Sequence, residues 1–220
     1  MKNYFHRQIE LWGEETQKSL ESKKVLIVGS GGLGSSLALA LGGSGIGEIH
    51  VVDFDTVSLH NIHRQILFTL KDEGKFKADV FKSVVESRYN GVKVVTHKVK
   101  FSEFVNSNNV KFDLILDATD NDKTRSEIAN FAKLSNTPWI YSAVESFHGQ
   151  VCFIKDANFK PLANESLKPK GLTAPIVMFI AAFEANLALR YLAELPVKFD
   201  ILHYLDIHSG ELKVSKFNLI

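Results

Sequence analysis

Cysteine is almost absent from this chain: Cys152 is the single cysteine among 220 residues. One cysteine excludes a disulfide within the chain, and such usage fits the reducing cytoplasm, where we expect the protein to work. An excess of charge of one sign is also missing, because 26 basic and 25 acidic side chains leave a formal net charge of +1 with histidines neutral. This balance gives no sign of binding to nucleic acid or to an anionic membrane surface.

Two kinds of apolar segment are missing as well. Residues 1–4 lack the apolar core of a signal peptide, so we expect no secretory leader. The most apolar run, 176–193, is interrupted by Glu184, Asn186 and Arg190. Its apolar side chains recur at helical spacing, which predicts a helix buried in a core or an interface, not a membrane span. With 45% hydrophobic residues, the chain can form one sizeable core, and we expect a single domain over 1–220.

The stretch 25–64 carries the strongest local signal. An apolar, β-branched run at Val25–Val28 leads into the glycine-rich segment Gly29–Gly34, which predicts a buried parallel strand, a tight turn and the start of a helix. Glycines allow backbone N–H groups to approach a phosphate, and the helix N-terminus adds partial positive charge. Asp53 closes the next predicted strand 24 residues after Gly29 (53 − 29), an offset that suits a carboxylate on a ribose hydroxyl. These features predict a nucleotide site, although the glycine pattern alone fits an ordinary NAD-binding unit equally well.

Further charged residues distinguish the site from one for hydride transfer. Asp55 lies two residues after Asp53, so both acids are predicted to face the same side of the strand. Asp120 follows another apolar strand, at the end where doubly wound sheets bind ligands. A hydride-transfer site has no need of Asp55 beside Asp53, whereas a magnesium–triphosphate site does, because Mg²⁺ prefers carboxylate oxygens alongside phosphate.

Basic and amide side chains accompany these acids. Asn61, Arg64 and Gln65 are spaced three and four apart, which predicts one face of a short helix. Lys77 is predicted in the first turn of a helix over about 75–89, where a cation is unfavourable unless a bound phosphate compensates it.

The remaining periodicity predicts an α/β fold of the Rossmann-like, doubly wound type. Its mostly parallel sheet is expected to end in antiparallel strands at 201–207 and 211–217. Helices are predicted over 3–20 and about 175–194, and a loop over 156–173. Leu11, Ala40 and Phe76 are among the side chains predicted to face the core.

The spaced motifs together resemble those of the ThiF/MoeB/HesA adenylyltransferases, relatives of the ubiquitin-activating enzymes. The resemblance spans nearly the whole chain, and segment 64–69 favours the ThiF branch slightly. The matching segments are Tyr4–Ile9, Gly29–Gly34, Asp53–Asp55, Asn61–Gln65, Gly74–Lys77 and Leu116–Asn121.

This resemblance implies an adenylyltransferase that uses ATP and Mg²⁺. Its acceptor would be the C-terminal glycine carboxylate of a small ubiquitin-like sulfur carrier ending in Gly-Gly, activated as an acyl-adenylate. A ThiS-like carrier of thiamine biosynthesis comes first, a MoaD-like carrier of molybdopterin biosynthesis second, and relatives that adenylate peptides leave a peptide acceptor open. A homodimer and a separate sulfur donor are also implied, as is proximity of the 156–173 loop to the acceptor's tail.

The resemblance also assigns roles to individual residues. Asp120 is implied as the Mg²⁺ ligand, with Asp55 as a second candidate, and Arg7 is implied to reach the ATP of the other subunit. The implied catalytic residues are Arg7, Arg64, Lys77 and Asp120. The implied nucleotide-binding residues are Gly29, Gly31, Gly32, Gly34, Asp53, Asp55, Asn61 and Gln65.

The chain departs from many family members in its lack of CxxC pairs. A four-sulfur zinc site is therefore excluded within one chain, and we expect no zinc site. Cys152 lies mid-strand between apolar residues, which predicts a small buried hydrophobe and not a reactive thiol.

Two other classes stay open. An NAD(P)-dependent oxidoreductase would account for the glycine segment and Asp53, but would leave Asp55, Arg64, Lys77 and Asp120 without a role. A non-catalytic partner subunit of a split activating enzyme would keep the fold and lose those charged residues, which this chain retains.

Overall fold

The computed structural model describes residues 4–158 and 171–220, and the described strands form one eight-stranded sheet. The strand order is β3-β2-β1-β4-β5-β6-β7-β8. Strands β1 to β5 are mutually parallel, whereas β6, β7 and β8 each run antiparallel to the preceding strand. The predicted doubly wound sheet with antiparallel C-terminal strands is confirmed. The strands are β1 (Lys24–Val28), β2 (Glu48–Val52), β3 (Lys93–His97), β4 (Leu114–Asp117), β5 (Trp139–Glu145), β6 (His148–Ile154), β7 (Ile201–Asp206) and β8 (Lys213–Asn218).

Helices cover both faces of this sheet. One apolar cluster joins α3, α5 and α8 to one face, and a second joins α6 and α7 to the other. The helices are α1 (His6–Trp12), α2 (Glu14–Ser19), α3 (Gly32–Leu41), α4 (Leu59–Ile62), α5 (Lys77–Arg88), α6 (Phe101–Ser107), α7 (Asp122–Ser135) and α8 (Ala174–Leu192).

The two central strands, β1 and β4, are covered by helices on both faces of the sheet, which explains why their sequences are continuous apolar runs. Side chains alternate across a strand, so Ile27 and Leu116 pack on the α3 and α8 side, and Leu26 and Ile115 on the α6 and α7 side. All four are fully buried. A strand that is covered on both faces must be apolar throughout, as parallel strands usually are.

Helix α8 is the one described helix that is long and apolar enough to cross a membrane by length and composition. In this fold it packs against α3 and against strands β5 and β6. Its Ile176, Ile180 and Ala181 are fully buried. The prediction of a buried helix agrees with this packing.

Three side chains predicted to face the core are at the surface. Leu11 is 74% exposed on α1, a helix without a buried residue. Ala40 is exposed on the outer face of α3. Phe76 precedes the first turn of α5 and is 40% exposed, and the inner face of that helix is filled by Phe81 instead. These predictions were wrong because helical spacing does not show which residues lie beyond the edge of the packed face.

The predicted loop at 156–173 lies mostly outside the described residues, which omit 159–170. Its root is fixed. The buried Asp200 carboxylate accepts hydrogen bonds from the backbone N–H groups of Lys155, Asp156 and Ala157, at 3.0–3.3 Å.

Candidate functional site

The glycine segment lies at the point where the order of the parallel strands reverses. The chain leaves β1 towards β2 and β3 on one side, and leaves β4 towards β5 on the other. The segment after β1 and the turn after β4 therefore meet at the carboxyl edge of adjacent strands, where doubly wound sheets bind ligands. Gly29 has φ +94°, and a Cβ there would lie 2.6 Å from the Ala118 carbonyl oxygen. Only glycine fits this close approach.

Two further glycines are required by packing around the start of α3. A Cβ on Gly34 would overlap the Gly29 carbonyl oxygen, and a Cβ on Gly32 would lie 2.8 Å from Cγ1 of Val177. Gly31 differs, because its Cβ would meet only Nε2 of Gln65 at an ordinary 3.5 Å. Gly31 and Gly32 are partly exposed at the N-terminus of α3. Their backbone N–H groups and the helix dipole suit an anionic ligand.

Asp53 ties the glycine segment to the end of β2. Its Oδ2 accepts hydrogen bonds from Ser30 N at 2.7 Å and from Ser30 Oγ at 2.8 Å, and its Oδ1 accepts one from Asp55 N at 2.8 Å. Strand β2 ends at Val52, so the prediction that the two acids share one strand face was wrong. The carboxylate of Asp53 is buried and already orders the loop, and its oxygens keep further lone pairs for a ligand hydroxyl.

Asp55 is placed as the partner of a buried cation. Its Oδ2 lies 2.9 Å from Nζ of Lys77, and its carbonyl accepts a hydrogen bond from Lys77 N at 3.0 Å. The Lys77 side chain is 6% exposed, against 52% for Asp55. The cation in the first turn of α5 is thus compensated by an acid of the same chain. This pairing competes with the predicted role of Asp55 as a metal ligand.

The segment with Asn61, Arg64 and Gln65 lies against the glycine segment. Helix α4 is a single turn that ends at Ile62, so only Asn61 of the three is helical. Arg64 Nη2 nevertheless donates to Asn61 Oδ1 at 3.1 Å, and the carbonyl of Arg64 would lie 3.5 Å from a Cβ on Gly32. Gln65 is buried beside Gly31. The fold therefore brings the Gln65 amide and the main chain of Arg64 to the glycine segment Gly29–Gly34, the phosphate cradle, while the guanidinium group of Arg64 is held by Asn61.

The turn that carries Asp120 is held from both sides. Oδ1 of the buried Asp117 accepts from Thr119 N at 2.9 Å and Thr119 Oγ1 at 2.6 Å, and Arg125 Nη2 donates to the Thr119 carbonyl at 3.0 Å. On the other side, Asn121 caps α7 through a bond from Thr124 N. Asp120 is exposed, and its carboxylate contacts no partner among the described residues. An acid held in this way is available to a ligand.

Asp117 and Arg125 were not singled out from the sequence. Burial raises the pKa of Asp117 to about 6, although the nearby Arg125 guanidinium acts in the opposite direction. Nε of Arg125 lies 3.5 Å from Asp117 Oδ2. In the sequence, Asp117 is an acid at the end of an apolar strand, and Arg125 is an arginine one helical turn into α7. This pattern by itself also fits a surface ion pair, so it does not single the two residues out.

Arg7 is not joined to this cluster within one chain. It lies on α1, its side chain is 88% exposed, and its Nη1 pairs with Glu10 Oε2 at 2.8 Å. Any contribution of Arg7 to the nucleotide site would come from a second subunit.

The side-chain oxygens at this site suit Mg²⁺ only in combination with the phosphates of a bound nucleotide. In the part of the chain that the structure describes, no group of three or more His, Cys, Asp or Glu side chains is placed to hold an ion. Mg²⁺ commonly binds through one or two carboxylates together with substrate phosphates and water. The free Asp120 carboxylate beside a phosphate cradle fits that mode.

Cys152 lies on β6 and is fully buried, as predicted. Burial raises the pKa of its thiol to about 12, so the thiolate that reacts or binds metal is suppressed.

The fold and the site define an α/β protein of the nucleotide-binding class. A family model described as the ThiF family matches residues 5–218, and the chain belongs to that family. It is 36% identical over 150 residues to a sulfur carrier protein adenylyltransferase of Thermus thermophilus, covering 67% of this chain and 55% of that protein. It is 35% identical over 150 residues to a probable adenylyltransferase/sulfurtransferase MoeZ of Mycobacterium tuberculosis, covering 66% of this chain and 38% of that protein.

The chain therefore spans between about a third and just over half of the curated relatives it matches. Among solved structures, E. coli MccB with succinimide superposes with a TM-score of 0.86 at 21% identity, over 99% of this chain and 72% of that one. A complex of MccB with ATP gives a TM-score of 0.81 at 22% identity, over 100% of this chain and 71% of that one. At this level of identity the likeness concerns the fold.

Proposed function

We propose that this chain is a Mg²⁺- and ATP-dependent adenylyltransferase that activates the C-terminal glycine carboxylate of a small ubiquitin-like sulfur carrier. One observation carries the proposal: three segments meet the glycine cradle where the strand order of the sheet reverses. They are the main chain of Arg64, the Asp53–Asp55 segment that pairs with Lys77, and the turn that leads to Asp120. The names of the T. thermophilus and M. tuberculosis relatives support the reaction class. The first of them also supports the choice of acceptor.

The proposed reaction is a displacement at the α-phosphorus. A carboxylate oxygen of the acceptor forms a bond to that phosphorus, and the bond to the α,β-bridging oxygen breaks. The electron pair leaves with pyrophosphate, and the product is an acyl-adenylate. A C-terminal carboxylate is already ionised at neutral pH, so the step needs no general base. The protein must therefore orient the two reactants in line and neutralise charge.

The residues of the cradle divide this task. The N–H groups at Gly31 and Gly32 and the N-terminus of α3 would bind phosphate oxygens, and Asp53 would bind the ribose. Arg64 and Lys77 would stabilise the negative charge that develops on the leaving pyrophosphate. Bound Mg²⁺, held by Asp120 and phosphate oxygens, would supply further charge neutralisation.

The proposal includes a homodimer in which Arg7 serves the site of the other subunit. Its support is the location of Arg7 on an exposed helix, where it pairs only with Glu10 among the described residues. The proposal also includes a separate sulfur donor and a cytoplasmic location. The burial of Cys152 supports the donor, because this thiol is not placed to carry sulfur.

Carrier-dependent ATP–pyrophosphate exchange tests the proposal. The purified protein would be assayed with a ThiS-like carrier, with a MoaD-like carrier and with a peptide ending in a free carboxylate. We expect exchange with one carrier and none with the same carrier lacking its C-terminal glycine. Binding of NADH without any response to ATP would instead support an oxidoreductase. Absence of exchange with every acceptor, despite ATP binding, would support a non-catalytic subunit.

A further inference from the structure

A buried acid lies behind the Asp120 turn and has no part in the function proposed above. Glu184 projects from the middle of α8 and is fully buried. Its Oε2 lies 2.6 Å from the hydroxyl of Ser142 on β5. Its Oε1 is buried and has no hydrogen-bond partner in the described part of the chain. Burying a carboxyl group in an apolar core costs free energy when its oxygens are not fully hydrogen-bonded, so its presence here needs an explanation.

The geometry around Ser142 shows which form of the acid is present. Ser142 Oγ lies 2.9 Å from the main-chain carbonyl oxygen of Asp117 as well as 2.6 Å from Glu184. A hydroxyl has a single hydrogen, and a carbonyl oxygen has none. Two separate, two-centre hydrogen bonds require that Glu184 carries a proton and donates it to Ser142, which then donates to Asp117. Burial also raises the pKa of Glu184 well above its ordinary value, so the neutral acid agrees with its surroundings.

The hydrogen bonds from Glu184 to Ser142 and from Ser142 to Asp117 form a relay, which ends at the strand that leads into the Asp120 turn. It fixes the carbonyl of Asp117, the last residue of β4. The side chain of Asp117 in turn holds the N–H and hydroxyl of Thr119. Glu184 on α8 is thus connected to Asp117 through Ser142 and two hydrogen bonds, and Asp117 continues the connection to Thr119, the residue before Asp120.

We infer that Glu184, as a neutral acid, is a positioning residue for Asp120 and acts through Ser142 and the end of β4. The role of Asp120 in binding metal–nucleotide rests on the proposed function. Glu184 is fully buried, so it acts on the site only through these hydrogen bonds. Its effect is to keep the free carboxylate of Asp120 in one place before a ligand arrives.

Stability alone does not explain an acid at this position. Replacing a buried polar group by an apolar side chain of similar size is often neutral or stabilising. Helix α8 packs a continuous apolar face into the core around Glu184, including Ile180, Ala181 and Ala188. A leucine would extend that face, and the relay to Asp117 would be lost.

Three variants of the full chain test this inference. Glu184→Leu and Ser142→Ala each break the relay, and Glu184→Gln keeps a donor towards Ser142. The readout is the dissociation constant of a fluorescent ATP analogue, measured with Mg²⁺ and again with a chelator. Supporting residues of metal sites typically contribute about 10- to 100-fold to affinity. We expect a loss of that size in Glu184→Leu and Ser142→Ala with Mg²⁺, no loss with the chelator, and near wild-type binding in Glu184→Gln.

Thermal unfolding and the double variant complete the experiment. We expect unchanged or higher melting temperatures for Glu184→Leu, and a double variant that binds no more weakly than either single one. If Glu184→Leu fails to fold, Ser142→Ala carries the comparison with a smaller change.

Binding in Ser142→Ala equal to wild type, or an equal loss with and without Mg²⁺, would overturn the inference. Because binding is measured without an acceptor, wild-type protein that binds Mg²⁺–ATP but shows no exchange would contradict only the proposed function.

Discussion

The ammonium group of Lys77 is paired with the carboxylate of Asp55 at 2.9 Å, a buried cation held by a half-exposed acid. The cation therefore has a partner before any nucleotide is bound. An incoming phosphate would either join this pair or displace Asp55 from it. The arrangement gives Asp55 a role in addition to that of the metal ligand implied for it.

The pair predicts how Asp55→Asn alters stability. The variant leaves a buried ammonium without a full negative partner, and we expect the free energy of unfolding to fall by about 1 kcal/mol, since the exposure of Asp55 weakens the pair. Saturating ATP with Mg²⁺ should reduce that loss, because phosphate replaces the missing charge. Urea denaturation with and without nucleotide measures both quantities.

Asp79→Asn is the matched control for this experiment. Asp79 pairs with Lys98 at 3.1 Å, and both side chains are exposed. A loss of less than about 0.5 kcal/mol is expected there. If Asp55→Asn loses more in the presence of nucleotide than in its absence, Asp55 acts as a metal ligand after all.

Removal of the charges beside the cradle should abolish the chemical step. In Arg64→Ala or Asp120→Ala, one charge contact in a preorganised site is lost, at a cost of about 3 kcal/mol or more in transition-state stabilisation. Carrier-dependent ATP–pyrophosphate exchange should therefore fall by at least about 100-fold with the fold intact. Lys123→Ala, an exposed change near the same turn, should leave exchange unaltered. Near-normal exchange in either active-site variant would remove that residue from the mechanism.

Arg7 allows a test of assembly. If it acts across a dimer interface, Arg7→Ala and Asp120→Ala proteins should each be inactive and should recover part of the activity when mixed. Each hybrid dimer would contain one site with both residues intact. The assay is exchange activity after mixing, with subunit exchange verified by differently tagged chains. Proven exchange without recovery would mean that Arg7 serves its own subunit or none.

The lone cysteine should be inert in the folded protein. With its pKa raised to about 12, the Cys152 thiol stays protonated at pH 8. The stabilising effect of the protonated form is complete below pH 9.0 and is lost as the pH rises towards 12. A thiol reagent at pH 8 should therefore label the protein only after denaturation.

Cys152→Ser should retain adenylate formation and, with a sulfur donor added, thiocarboxylation of the carrier. The purified protein should contain no stoichiometric zinc. A carrier–enzyme adduct that survives denaturation, is released by thiol reductant and is missing in Cys152→Ser would show that the thiol takes part in the reaction.

The fold was largely predictable because its elements are set by local patterns. The apolar run at Val25–Val28 and the close approach of Gly29 to its neighbours follow from residue type and spacing. The errors arose at the margins of packed faces. Leu11 and Phe76 have the right spacing for a buried face but lie at the surface, which only the position of neighbouring elements decides.

The residues of the candidate site could be proposed from the sequence, but their contacts could not. Asp55 and Lys77 are 22 residues apart, and their pairing depends on how β2 and α5 meet in three dimensions. Glu184 appeared in the sequence as an interruption of an apolar run. The hydrogen bond to Ser142, 42 residues earlier, requires α8 to cross β5, and no local pattern encodes that crossing.

The pairing of β1 with β4 has a consequence for the order of events during synthesis. Val28 lies beside Asp117, 89 residues later (117 − 28). A nascent chain that has emerged only as far as β3 therefore exposes one edge of its most apolar strand, and such edges recruit other chains. The cradle stays open on the Ala118 side until β4 arrives, so any nucleotide that binds there can stabilise folding only late. Chains truncated before residue 114, which lack β4, should aggregate whatever the nucleotide concentration.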